Sequence, residues 1–99
     1  MSEGNPDRRI RGQILRMVRQ SGSGVTAAFL AGVFRRAGDE PAVINLDENL
    51  AYLTDRGYLA HRQVRDDVSG VERRRYRITA DGIDLIQGVT QDPGVLYVD

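Results

Sequence analysis

Six arginines fall between residues 62 and 77, and their spacing is the clearest chemical signal in the chain. They are Arg62, Arg65, Arg73, Arg74, Arg75 and Arg77. A guanidinium is a planar fork of donors that can hold two phosphate oxygens at once. Arg73, Arg75 and Arg77 alternate with Arg74, Tyr76 and Ile78. In a strand this period of two puts Tyr76 and Ile78 inward and the three arginines in water. Such a row suits a clamp on phosphates or in a minor groove. A second reading stays open, in which the same arginines form a polar hairpin face paired with Asp66, Asp67 and Glu72. Arg8, Arg9 and Arg11 could add phosphate contacts, but they read more simply as an exposed helix start.

Catalytic chemistry finds little support. His61 is the sole histidine and cysteine is absent, so no cluster of metal-binding spacing exists. Ser21 and Ser23 sit in a Ser-Gly-Ser-Gly run with no base beside them. That run also lacks the lysine and the spacing of a phosphate-binding loop. Asp66-Asp67 reads as a turn. The expectation is a protein without cofactor, metal or enzymatic activity.

The chain has 99 residues, enough for one modest core. With 40% hydrophobic and 28% charged residues it has the composition of an ordinary globular domain. No apolar run is long enough for a membrane span, and no signal segment opens the chain, so the cytoplasm is the expected compartment. The net charge is zero but uneven. All 14 basic residues are arginine. Residues 1–20 carry +3, residues 21–60 carry −2, residues 61–79 carry +3 and residues 80–99 carry −4. A neutral total argues against indiscriminate nucleic-acid binding, whereas a local basic stretch permits a focused contact.

The elements that must position these groups follow from capping and periodicity. Asn5-Pro6-Asp7 has the cap, first-turn proline and acid of a helix start. Ile10, Ile14, Met17 and Val18 then mark its buried face. Ser21 to Gly24 forms a turn. Thr26 caps a second helix with a stripe of Leu30, Val33, Phe34 and Ala37, flanked by Phe29, and Gly38 ends it. A third helix starts at Asp39-Glu40-Pro41, buries Val43, Leu46, Leu50 and Leu53, and stops at Gly57. The tight link between the two makes a helix-turn-helix candidate. Tyr58 to Val64 and the arginine row form a hairpin around a turn at Asp66 to Gly70. Thr79 caps a last helix in which Ile83, Ile86 and Leu85 pack inward, closed by Gly88.

This order, three helices, a two-stranded β-hairpin wing, a C-terminal helix and a short apolar tail, is that of an α+β winged helix-turn-helix domain. Leu50-x-x-Leu53-x-x-x-Gly57-Tyr58-Leu59 resembles the end of the recognition helix in bacterial winged-helix regulators of the MarR, PadR and ArsR groups. Arg75-Tyr76-Arg77-Ile78-Thr79-Ala80-Asp81-Gly82 resembles their second wing strand and the helix after it. The resemblance spans residues 8–88. A narrower one, to small winged-helix proteins of Mu-like phages and prophages, lies at Leu50-Ala51-Tyr52-Leu53, at Thr79, Gly82, Asp84, Leu85 and Gly88, and at Pro93-Gly94-Val95. The expected organisation is a flexible N-terminus at 1–6, the winged-helix domain at 7–88 and a tail at 89–99.

The resemblance implies a non-enzymatic regulator of transcription that binds double-stranded DNA. Its third helix would enter the major groove and its wing would hold phosphates. Asn45, Glu48 and Tyr52 are its expected outward positions, with Ile44, Asn49 and Asp55 nearby. Asn45 and Asn49 could pair with adenine, Glu48 with cytosine, and Tyr52 could touch phosphate or a thymine methyl. Against this stand Asp39, Glu40, Asp47, Glu48 and Asp55, offset by Arg56 alone. Phosphates repel such a set. The alternative is therefore a protein-interaction or dimerisation module that does not bind DNA. Val95, Leu96, Tyr97 and Val98 are an expected homodimer contact. Alternatively, the tail packs on its own domain as an edge strand.

Overall fold

The structure, a computed structural model, describes residues 6–97. These residues form an α+β fold of five helices and a three-stranded antiparallel sheet. Asn5, Val98 and the expected flexible segment up to Asn5 lie outside the described residues. None of the helices is long and apolar enough to cross a membrane.

Helix α1 (Pro6–Gln20) starts at the proline and carries Asp7 in its first turn. Its buried side chains are Ile10, Ile14, Leu15 and Val18. Met17, expected in that stripe, is only partly buried, whereas Leu15 is fully enclosed. Helix α1 packs against both helices and the sheet, and its buried face includes Leu15.

Strand β1 (Val25–Thr26) precedes helix α2 (Ala27–Arg36). Thr26 caps α2 as expected, its hydroxyl accepting from the Phe29 N–H at 3.2 Å. β1 has too few residues to show a period, so the sequence gives no sign of it. Leu30 and Phe34 are buried as expected, while Val33 is partly buried and Ala37 lies outside, beyond the last turn.

The expected third helix is two. Helix α3 (Glu40–Ile44) is capped by Asp39 Oδ1, which accepts from the Ala42 N–H, and helix α4 (Leu46–Asp55) follows after a break at Asn45. Asn45 ends one and begins the other: its N–H donates to Pro41 O and its carbonyl accepts from the Asn49 N–H, both at 3.0 Å. The bend lets Ala42, Leu46, Leu50 and Leu53 all reach the core. Gly57 then stops α4 at φ +83°, a left-handed conformation that side-chain-bearing residues avoid. Around it Gly57 N–H donates to Thr54 O and Tyr58 N–H to Leu53 O, the paired bonds of a Schellman end.

Strands β2 (Leu59–Arg65) and β3 (Glu72–Ile78) make the hairpin. The sheet order is β1-β3-β2, and the short first strand covers the edge of β3 at Arg75 and Tyr76. Thr79 caps helix α5 (Ala80–Ile86), accepting from the Gly82 N–H at 3.0 Å, and its hydroxyl also lies 2.6 Å from Gly57 O. One side chain thus ties the end of α4 to the start of α5. In α5, Leu85 and Ile86 are buried.

The tail does not stand apart from the domain. Val95 is buried in the core and Leu96 N–H donates to Arg8 O at 2.9 Å. The carbonyl of Leu96 occupies the space where a Cβ at position 12 would sit, so Gly12 admits the tail. Val95, expected at a dimer contact, is therefore spent inside its own chain. The tail packs there as irregular chain, with no strand at residues 91–97. Tyr97 is partly buried against the core and Leu96 remains 44% exposed.

Leu15→Ala should destabilise the protein by about 3 kcal/mol through lost packing and a residual cavity. Met17→Ala should cost clearly less. Urea unfolding of the two variants checks this, and equal losses would contradict this buried face of α1.

Candidate nucleic-acid interface

The hairpin register sorts the arginines. Residues paired across an antiparallel ladder share a face. Leu59 faces Ile78, His61 faces Tyr76 and Gln63 faces Arg74. This face carries the buried Leu59 and Tyr76, so it packs on the core. The opposite face pairs Ala60 with Arg77, Arg62 with Arg75 and Val64 with Arg73. Arg62, Arg73, Arg75 and Arg77 therefore stand together on the outer face, as alternation requires for the last three.

Their environments differ. Arg75 is partly buried and its Nη1 donates to Gly24 O at 3.1 Å, which holds the loop before β1. Its guanidinium has a structural task that the sequence did not reveal. Arg62, Arg73, Arg74 and Arg77 are exposed. Arg65 Nε donates to Gly70 O at 3.4 Å and braces the turn. Among the described residues the ion pairs are Arg9–Asp39 and Arg56–Asp92, so no hairpin acid lies within ion-pair distance of the arginine row, although the Arg73 charge helps to lower the Asp66 carboxyl. Asp66 instead folds the turn: its Oδ1 accepts from the N–H groups of Val68 (2.8 Å) and Ser69 (3.4 Å). The Val68 N–H, then the Ser69 N–H, hold its carboxyl below the usual carboxylate range.

The polar residues of α4 turn the other way. Asn49, expected near the outward face, is 1% exposed. Its amide donates to Asp7 Oδ1 at 3.2 Å and its carbonyl accepts from Arg11 Nε at 2.9 Å. The Asn45 amide also donates to Asp7, at 3.4 Å. Tyr52 lies between two guanidinium groups, with Arg11 at 3.7 Å and Arg56 at 4.7 Å from the ring centre. Its hydroxyl donates to Asp92 Oδ1 at 3.1 Å, and Arg56 reaches Asp92 Oδ2 at 3.4 Å. Asn45, Asn49, Tyr52 and Arg56 are thus engaged with α1 and the tail instead of being free to read bases. Their one-per-turn spacing marks a face, but a polar face can meet another polar face. Asp7 and Arg11, one turn apart on α1, are the partner stripe and the only sequence signal for it.

Asp92 is the hub of this arrangement, although in sequence Asp92-Pro93-Gly94 marks only a turn into the tail. It accepts from the Tyr58 hydroxyl at 2.8 Å and the Gly94 N–H at 2.8 Å, besides Tyr52 and Arg56. Burial pushes its carboxyl up, but the Tyr58, Gly94 and Tyr52 hydrogen bonds and the Arg56 charge together hold it below the ordinary range. Burial and the bond to Asp92 push the Tyr58 hydroxyl up to about 12.

What α4 exposes is Asp47, Glu48, Ala51 and Asp55. A cleft of about 550 Å³ separates this acidic face from the hairpin. Asp47 and Asp55 of α4 line it together with His61, Arg73, Arg74 and Tyr76 of the hairpin. The two rings meet edge to face at 5.5 Å. Among the described residues no group of His, Cys, Asp and Glu is placed to hold a metal ion. Comparison with protein-family models, curated proteins and solved structures finds no match for the chain.

Asp92→Asn should cost about 2 kcal/mol, because a charged acceptor of several buried hydrogen bonds becomes neutral. The pH dependence has two signs. Asp92 is depressed in the fold, so its contribution is present above the unfolded value and is lost as pH falls through the folded one. Tyr58 is raised from 10.0 to about 12, so its contribution is complete below pH 10 and is lost as pH rises between these values. Thermal unfolding against pH checks both, and Tyr58→Phe should flatten the alkaline loss.

Proposed function

We propose that this protein is a non-enzymatic winged-helix protein that binds double-stranded DNA mainly through the outer face of its hairpin. The observation that carries the reading is the row of Arg62, Arg73 and Arg77, exposed and without an ion-pair partner among the described residues. The element order and the β1-β3-β2 sheet are compatible with a winged-helix arrangement. The sequence resemblance to small phage and prophage winged-helix proteins, and to bacterial regulators, favours a role in transcription regulation. Because Asn45 and Asn49 are bonded inward, the contact rests on phosphates and is tolerant of sequence.

A second reading has its own observation. Asp47, Glu48 and Asp55 are exposed on α4 and make no ion pair among the described residues. Phosphates repel that face, so α4 suits a basic protein partner better than a major groove.

Fluorescence anisotropy with random-sequence duplex DNA over a salt series separates the two. The DNA reading expects binding that weakens steeply with salt. Arg62→Ala, Arg73→Ala and Arg77→Ala should each weaken binding to all sequences alike and lower the salt slope by about one. Asn45→Ala should leave sequence preference unchanged. Absence of binding at low salt would leave the protein-interaction reading.

A further inference from the structure

We infer that the exposed acidic face of α4 docks on the outer arginine face of the hairpin of a second copy of this chain. The chain carries two opposite, unsatisfied charge surfaces. Asp47, Glu48 and Asp55 stand exposed on α4; Arg62, Arg73 and Arg77 stand exposed on the hairpin. Within one molecule no ion pair joins them. Asp47 and Asp55 share a cleft with Arg73 and Arg74, yet no ion pair spans it. Arg62 and Arg77 belong to the face of the sheet turned away from the core. For Arg62 and Arg77 the acidic partner face must come from another molecule.

Their dimensions agree. Asp47 and Asp55 are separated by about 12 Å of helix at 1.5 Å per residue. Arg73 and Arg77 are separated by about 13 Å of strand at 3.3 Å per residue. Ala51 lies between the acids on the same face, small enough to let guanidinium stems approach. Arg62 adds a third arginine from the neighbouring strand, opposite Arg75. A helix of ten residues laid on two strands is a small contact, so the association is weak, reversible and sensitive to salt. The two surfaces differ, so the contact is head-to-tail and leaves a free acidic face at one end and a free arginine face at the other. It occupies the same arginines that serve DNA in the proposed function. That competition alone rests on the DNA reading; the self-association does not.

Sedimentation velocity without DNA tests the inference with three proteins. The wild-type chain, at an ionic strength of about 0.01 M where screening is weak, should show a weight-average mass that rises with concentration and falls to the monomer in about 1 M salt. An acid-face variant (D47N, E48Q, D55N) and an arginine-face variant (R62Q, R73Q, R77Q) should each be monomeric at low salt. Mixed together, they retain one good acidic face and one good arginine face and should form a one-to-one heterodimer that grows no further. Circular dichroism confirms that both variants are folded. A wild-type monomer at low salt, a self-association that either variant retains, or a mixture that stays monomeric would each overturn the inference. DNA binding by the wild type is measured separately, so failure of either proposal leaves the other standing.

Discussion

Asp92 holds one negative charge where solvent barely reaches it, and the arrangement of the helices depends on how that charge is satisfied. Desolvating a carboxylate is costly, and only several donors at once can offset it. Tyr52 from α4, Tyr58 from the start of the hairpin, the Gly94 N–H from the tail and Arg56 from the end of α4 supply them. Arg11 extends the set, stacking on Tyr52 and bonding to Asn49 and to Gly94 O at 2.9 Å. Helix α1, helix α4 and the tail are joined by polar contacts with directions, which add to the rotation already set by burial of Leu46, Leu50 and Leu53. The orientation of α4 follows: its amides and its tyrosine face inward, and its carboxylates face water.

That orientation governs what the surface can do. An α4 rotated by half a turn would offer Asn45, Asn49 and Tyr52 to a groove. As it stands it offers Asp47, Glu48 and Asp55, and cationic recognition passes to the hairpin. There the ladder places Arg62 directly opposite Arg75, a pairing of like charges that strands ordinarily avoid. The bond from Arg75 to Gly24 O directs one of the two guanidinium groups away. The remaining outer-face arginines make no close ion pair among the described residues, a state that suits an anionic partner and contributes little to folding.

Much of the architecture was legible because it is local. Thr26, Asp39 and Thr79 cap helices by bonds that span three residues, and Gly57 stops α4 by its own backbone freedom. The alternation of Arg73, Arg75 and Arg77 with Tyr76 and Ile78 needs only the pleat of one strand. Less local features were hidden. β1 is two residues long and exists because β3 has an edge to pair with. The break at Asn45 answers to α1, through Asp7. The burial of Val95 answers to Gly12, a position far away in sequence that happens to leave room.

The sequence by itself determined the capped helix starts at Thr26, Asp39 and Thr79, the stop at Gly57, and which face of the hairpin carries arginine. Capping, turns and periodicity act within a few residues and need no partner. Only the tertiary structure decided which polar residues would be free to meet a partner. Asn45, Asn49, Tyr52 and Arg56 have the chemistry of a recognition surface, but a hydrogen-bonding side chain serves an internal partner equally well. Whether it does depends on Asp7, Arg11 and Asp92 arriving at the same place, and long-range packing alone brings them there.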